Sequence, residues 1–295
     1  MTVRRIGFIG LGVMGHPMAL NLTNAGYDVV GYSRTDATRN KFASHGGAIA
    51  GSVAEATEGA DVVITMLPDG PDVREVVLGE NGVFANAKPG LLYVDMSTIS
   101  PQTSMDLAAE GTQRQVRVLD APVSGGEAGA REATLSIMVG GTAGDFEAAR
   151  PVFAALGKTV VRVGSHGAGQ TVKAANQLIV AGTIELVAEA IVFLEASGNV
   201  DVEPAIQVMS GGLAGNRILD RKSSSMLARN FTPGFRVDLH HKDLGIVTAS
   251  ARTAGAVLPL TALVTQLMAS LRANGQGSQD HTALLSLVER LSGRN

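Results

Sequence analysis

Ile6-Gly7-Phe8-Ile9-Gly10-Leu11-Gly12-Val13-Met14-Gly15 is the stretch on which the fold is decided. An apolar run with the character of a strand ends at Ile9, and the G-x-G-x-x-G that follows it opens a helix. Gly10 permits the tight turn, Gly12 lets backbone approach a pyrophosphate, and Gly15 lets helix pack on strand. The helix N-terminus presents free N–H groups to the anion. Because the motif lies within the first 15 residues of an alternating pattern, it reads as a dinucleotide-binding turn rather than a glycine-rich structural one.

Outward from that turn, short β-branched runs alternate with helical segments, the pattern of a doubly wound parallel sheet. Strands are predicted at 5–9, 29–32, 62–66, 91–95, 116–119, 135–139 and 160–163. Helix signals lie between them: Pro17 in a first turn with Gly26 beyond the last, Ser52 with Glu55 as a capping box, and Ser100 before Pro101. From about residue 165 the β runs stop and helices are predicted at 168–197, 201–210, 216–228, 237–254, 258–273 and 280–292. The predicted architecture is therefore a Rossmann domain over 1–164 followed by an all-helical domain over 165–295.

Composition narrows the function classes. A chain of 295 residues is long enough for two domains. Only 17% of residues are charged and 36 are Gly, which suits a compact α/β enzyme that buries more surface by forming a homodimer or homotetramer. The net charge of −3 comes with no basic stripe, against a nucleic-acid partner. The absence of Cys removes thiolate chemistry and fits a cytoplasmic location. Glycines interrupt the first apolar run, against a signal peptide, and Glu185, Glu189 and Glu195 interrupt the most apolar segment, against a membrane span.

Four further stretches bear on the chemistry. At the end of the second strand, where an acidic residue would bind the adenosine ribose of NAD, stands Ser33-Arg34-Thr35. A guanidinium and two hydroxyls suit a 2′-phosphate, so NADP is expected over NAD. Asp120-Ala121-Pro122-Val123-Ser124-Gly125-Gly126 offers a hydroxyl and two glycine N–H groups in a loop able to form an anion nest. Gly167 to Gln177 opens the long helix, with Lys173, Asn176 and Gln177 on one face. A lysine in an otherwise apolar helix is costly unless paired, and burial tunes it for proton transfer. In His240-His241-Lys242-Asp243-Leu244 the second lysine could fix the first by repulsion, contact cofactor or lie on a solvated face, and His240-His241 reads as a helix surface or pocket rim rather than a metal site; the six His show no metal-ligand spacing.

Four ordered motifs, Gly10 to Ala19, Asp120 to Gly126, Gly167 to Asn176 and Lys242-Asp243-Leu244, resemble those of the β-hydroxyacid dehydrogenase family, which includes 3-hydroxyisobutyrate dehydrogenases and tartronate semialdehyde reductases, over nearly the whole chain. Lys173-Ala174-Ala175-Asn176-Gln177 and the tail Ala273 to Leu284 are most similar to the tartronate semialdehyde reductase branch. The resemblance implies a 6-phosphogluconate-dehydrogenase-like helical domain and a reductase of a small aldehyde acid. It implies that Ser124, Gly125 and Gly126 hold the substrate carboxylate, that Lys173 is the acid/base and that Asn176 positions it. It further implies that Leu67-Pro68, Ser97-Thr98 and Lys242 contact the cofactor, together with Gly10, Leu11, Gly12, Val13, Met14 and Gly15. No metal is needed, since a cationic lysine stabilises the developing charge. The nearest alternative is another enzyme of the same family, a 3-hydroxyisobutyrate dehydrogenase or a reductase of glyoxylate or succinic semialdehyde. Three more distant readings are weaker. An imine reductase usually has another residue at the lysine position, a decarboxylating phosphogluconate dehydrogenase needs a longer helical domain, and a non-catalytic NADP-binding module would be free to lose Lys173.

Overall fold

The computed structural model describes residues 3–294. The chain divides into two compact units, Met1–Lys173 and Ala174–Asn295.

The first unit is built on nine strands: β1 (Arg5–Ile9), β2 (Asp28–Tyr32), β3 (Ala48–Ile49), β4 (Val62–Thr65), β5 (Leu92–Asp95), β6 (Arg117–Asp120), β7 (Val123–Ser124), β8 (Leu135–Gly140) and β9 (Gly157–Gly164). Their order is β3-β2-β1-β4-β5-β6-β8-β7, with β9 also paired to β8. The first six strands run parallel in the 3-2-1-4-5-6 order of a dinucleotide-binding sheet, whose strand order reverses beside β1. Both faces are covered, so β4 to β6 read as continuous apolar runs. Ile64, Val94 and Leu119 point into one core, and Val63, Tyr93 and Val118 into the other.

The sheet departs from the all-parallel expectation beyond β6. β8 runs antiparallel to β6 and β7, and parallel to β9. Pro122 cannot extend a hydrogen-bonded ladder, and Gly125 and Gly126 turn the chain with φ of +145° and +65°. The polypeptide therefore doubles back before a full crossover is built. β3 and β7 are two-residue strands without a readable alternation, and neither is predicted above.

The long helix Ala168–Ser197 begins in this unit. The predicted boundary at 164/165 coincides with the end of β9, whereas the compact unit extends to Lys173. The first helical turn belongs with the sheet because the Asp120 carboxylate accepts from Gly167 N at 2.8 Å and Gln170 N at 3.1 Å.

The second unit is helical: the remainder of that helix, then Val202–Ser210, Arg217–Leu227, Val237–Ala254, Pro259–Ala273 and Leu284–Leu291. The predicted last helix, 280–292, is shorter and is preceded by a 3-10 turn, His281–Ala283, capped by the Asp280 side chain. Ala181, Ile184, Leu244, Val264 and Met268 form the centre of its core. By length and composition alone the helix Ala168–Ser197 is long and apolar enough to cross a membrane. Ile184, Ala188 and Ile191 are nonetheless wholly buried within the helical unit.

Candidate active site

The turn after β1 has the shape its sequence predicts. Gly10 has φ of +104°, and a Cβ there would stand 2.3 Å from Met66 O. A Cβ at Gly15 would stand 1.8 Å from Gly10 O, so the start of the first helix, Gly15–Asn24, can sit against the turn only as glycine. At Gly12 a Cβ would meet no atom within 4 Å. The backbone is thus open on the side where a pyrophosphate would approach, and no side chain caps that helix. The residues present fit a dinucleotide.

At the end of β2, Arg34 is 73% exposed and pairs with Asp72 Oδ1 at 3.2 Å. Thr35 Oγ1 bonds Thr38 Oγ1 at 2.7 Å. A residue that the sequence reading missed, Arg39, lies over the Tyr32 ring at 5.7 Å and donates to Ser33 O and to Asp36. Two guanidiniums therefore stand at this strand end. No acidic side chain occupies positions 33–35.

The loops after β4 and β5 are tied together. Leu67 N donates to Ser97 Oγ at 2.9 Å, and Ser97 N donates to Asp95 Oδ1 at 3.2 Å. Asp95 also accepts from Thr65 Oγ1 at 2.8 Å, and Thr65 in turn bonds the Tyr93 hydroxyl at 2.7 Å. Burial pushes the Asp95 carboxyl up to about 6, against the pull of hydrogen bonds from Ser97 and Thr65. Gln170, on the long helix, joins the same loop by donating to Ser97 O at 2.8 Å and accepting from Ile99 N at 3.2 Å.

Asp120 leads into the Ser124-Gly125-Gly126 loop and fixes the start of the lysine helix. Burial raises its carboxyl above the ordinary range, with the Gly167 and Gln170 N–H groups pulling the other way. The helix can approach only because residue 169 is glycine: a Cβ there would stand 2.4 Å from Met138 O and 2.8 Å from Asp120 O. Lys173 follows one turn later and is only 6% exposed. Gly125 and Gly126 are exposed and Ser124 is half-buried, so the loop presents its hydroxyl and N–H groups at an accessible edge. The first unit therefore holds the predicted residues Gly10 to Gly15, Ser33 to Thr35, Leu67, Pro68, Ser97, Thr98, Ser124 to Gly126 and Lys173, around the carboxyl ends of the parallel strands.

The helical unit joins the other two predicted residues, Asn176 and Lys242, in one network. Asp243 accepts from Gln177 Nε2 at 2.5 Å and pairs with Lys242 Nζ at 2.9 Å. A carboxylate only accepts, so Gln177 must turn its Oε1 to Asn176, whose Nδ2 donates at 2.8 Å. His240 is fully buried, which corrects the expectation of a helix surface or pocket rim. Its Nε2 faces Gln177 O at 3.2 Å and its Nδ1 faces His281 Nδ1 at 2.9 Å. Since the carbonyl can only accept, His240 donates from Nε2, and a neutral ring then receives the His281 proton at Nδ1. Burial, then the neighbouring His240, lower the His281 basicity well below its usual value.

Asp280 closes this cluster. Lys222 Nζ stands 3.1 Å away, and Gly234 N, Phe235 N and Thr282 N all donate to it. Burial works to raise the carboxyl, but Lys222, the Phe235 N–H and the Thr282 hydroxyl hold it below its ordinary value.

Comparison with known proteins agrees with this architecture. Residues 5–164 match the family described as the NAD-binding domain of 6-phosphogluconate dehydrogenase, and residues 167–288 match the family described as NAD-binding of NADP-dependent 3-hydroxyisobutyrate dehydrogenase. The chain is 42% identical over 288 residues to 2-hydroxy-3-oxopropionate reductase of Escherichia coli, covering 98% of each protein. It is 34% identical to NAD-dependent L-serine dehydrogenase of Pseudomonas aeruginosa, covering 99% of this chain and 100% of that one. Among solved structures, 3-hydroxyisobutyrate dehydrogenase of Mycobacterium tuberculosis with L-serine is similar at a TM-score of 0.87 and 34% identity, covering 97% of this chain and 99% of that one. The chain is therefore an NAD(P)-dependent oxidoreductase that belongs to the β-hydroxyacid dehydrogenase family.

Proposed function

We propose that this protein reduces 2-hydroxy-3-oxopropanoate to glycerate with NADPH, and catalyses the reverse oxidation, with Lys173 as acid/base. The observation that carries the reading is a buried lysine one turn into a helix whose first turn is hydrogen-bonded to Asp120, at the head of the Ser124-Gly125-Gly126 loop. The 42% identity to the Escherichia coli reductase supports this substrate.

Gly10 to Gly15 would hold the pyrophosphate, Ser33, Arg34 and Thr35 the 2′-phosphate, and Leu67, Pro68, Ser97, Thr98 and Lys242 the rest of the cofactor, whose chemistry when bound is hydride delivery. Ser124 Oγ and the Gly125 and Gly126 N–H groups bind the substrate carboxylate. They orient the aldehyde so that its carbon becomes the hydride acceptor and its oxygen the site of developing charge. Lys173, as ammonium, donates its proton to that oxygen and stabilises the charge as it forms. Asn176, on the same helix face, positions the ammonium.

Turnover on a panel of 2-hydroxy-3-oxopropanoate, glyoxylate, succinic semialdehyde and the 3-hydroxyisobutyrate pair with both cofactors tests the substrate and cofactor. The first aldehyde with NADPH is expected to give the highest kcat/KM, and a preference for NADH would overturn the cofactor assignment. Lys173→Ala is expected to lose about 10²-fold or more in kcat. Unchanged kcat would defeat the acid/base role of Lys173, whereas a parent that turns over no aldehyde acid would favour a non-catalytic nucleotide-binding module.

The reading extends to a homodimer or homotetramer in the cytoplasm. Ile179, Leu186 and Phe193 lie seven residues apart on the long helix and are 56–70% exposed. An apolar stripe of that kind needs a partner. A monomer by light scattering at micromolar concentration would refute it.

A further inference from the structure

Gln170 lies one turn before Lys173 and on the same helical face. It is 1% exposed, and both ends of its amide are committed. Nε2 donates to Ser97 O and Oε1 accepts from Ile99 N, so the amide brackets Thr98 as a neighbouring strand would. A carbonyl only accepts and an N–H only donates, which leaves the amide one orientation. Its own N–H donates to Asp120. Through Ser97 Oγ the same loop holds Leu67 N, so one side chain links both strand-end loops to the helix that carries Lys173.

We propose that Gln170 is a positioning residue, which sets the register between the Ser97–Ile99 segment, on the cofactor side, and the helix turn that presents the Lys173 ammonium. The inference rests on the function proposed above, because it assigns the two sides of Gln170 to hydride delivery and proton delivery. Both must reach one carbonyl group, from carbon and oxygen respectively. An error of about 1 Å in such an arrangement reduces turnover on the order of 10²-fold. A buried apolar residue would fill the same volume without specifying the register.

Two substitutions in the full-length protein separate positioning from simple support of the fold. Gln170→Leu keeps the bulk and removes both hydrogen bonds. It is expected to lower kcat per folded molecule about 10- to 100-fold. The KM for the aldehyde should stay within about threefold, and the primary isotope effect with 4-deuterated NADPH should rise as hydride transfer becomes rate-limiting. Gln170→Glu keeps the acceptor for Ile99 N, but when ionised sets a carboxylate oxygen against Ser97 O. Once protonated it again both donates and accepts. Its kcat divided by that of the parent at the same pH should therefore increase as pH falls from 8 to 5. The ratio removes the part of the Asp120 and Asp95 titration that the two proteins share.

A Gln170→Leu protein with parental kcat and isotope effect overturns the proposal. So does a loss of activity that only follows the loss of folded protein. Should the leucine variant fail to fold, a flat Gln170→Glu ratio across that pH range overturns it. A parent protein inactive on every aldehyde acid and hydroxy acid overturns the function reading and this proposal together, whereas an active parent with indifferent variants sinks the proposal alone.

Discussion

Replacing Asp95 by Asn removes a charge that the sheet buries at a cost, and its effect on stability should depend on pH. Asp95 Oδ1 accepts from Thr65 Oγ1 and Ser97 N, while Oδ2 has no hydrogen-bond partner among the described residues. Moving the carboxyl from 3.8 to about 6 corresponds to roughly 3 kcal/mol at 1.36 kcal/mol per unit. The folded state holds this proton more tightly than the unfolded chain does. The associated stability is therefore complete below the unfolded value and is lost as pH rises through about 6. Asn does not ionise and keeps the Oδ1 acceptor, but its Nδ2 points where no partner is found, a pH-independent cost of about 1–3 kcal/mol. Between pH 4.5 and 8 the parent should lose about 2 kcal/mol that the variant retains. Urea unfolding followed by circular dichroism at both pH values measures the double difference, in which groups common to both proteins cancel. A stability difference that is the same at pH 4.5 and pH 8 would refute the reasoning.

Other perturbations probe the remaining parts of the site. Asp72→Asn frees Arg34 from an exposed ion pair worth at most about 1 kcal/mol, so calorimetry should show adenosine 2′,5′-bisphosphate binding up to about fivefold more tightly, with ADP unaffected. If the bisphosphate affinity does not move, Asp72 does not compete for the guanidinium. Gly15→Ala puts a methyl group 1.8 Å from Gly10 O, and the overpacking of about 1–3 kcal/mol should weaken cofactor binding by at least about fivefold in a fluorescence titration; parental affinity would contradict the geometry. Lys222→Met removes the ammonium that helps hold Asp280 below its ordinary value. A depressed carboxyl gives stability above its unfolded value that is lost as pH falls through its folded value, so raising the latter should move acid unfolding to higher pH. An unshifted acid midpoint by circular dichroism would mean that the backbone donors alone maintain the low value.

The features legible in the sequence are those whose determinants lie within a few residues of one another. The glycine turn is one, since Gly10 and Gly15 act on each other across a single turn. The helix caps are another: Ser52 Oγ accepts from Glu55 N at 3.1 Å and Ser100 Oγ from Thr103 N at 3.0 Å, at the predicted starts. Buried parallel strands announce themselves as apolar runs because both faces meet a core. The two-residue strands β3 and β7 carry no period, and the antiparallel return of β8 depends on where Pro122 and two glycines send the chain, which spacing alone does not specify.

The candidate site divides along the same line. Lys173 is conspicuous because it is the one cation in a largely apolar helix, and its burial depends on the segment that contains it. Gln170 carries no such mark, as its partners lie 71 and 73 residues away and an amide on a helix is unremarkable. His240 misleads for the same reason. Next to His241 and Lys242 it looks like part of a polar surface, yet a second histidine 41 residues on receives it in the interior. Polar side chains that bond remote backbone or remote rings thus escape sequence reading, because ordinary sequence signals record what a residue does to its own segment. In this protein such side chains join the loops after β4 and β5 to the helix that carries Lys173 and set the orientation of the Asn176 amide. Under the proposed function the reacting groups are consequently easier to find than the residues proposed to aim them, and the latter are where variants with intact folds and impaired turnover should be sought.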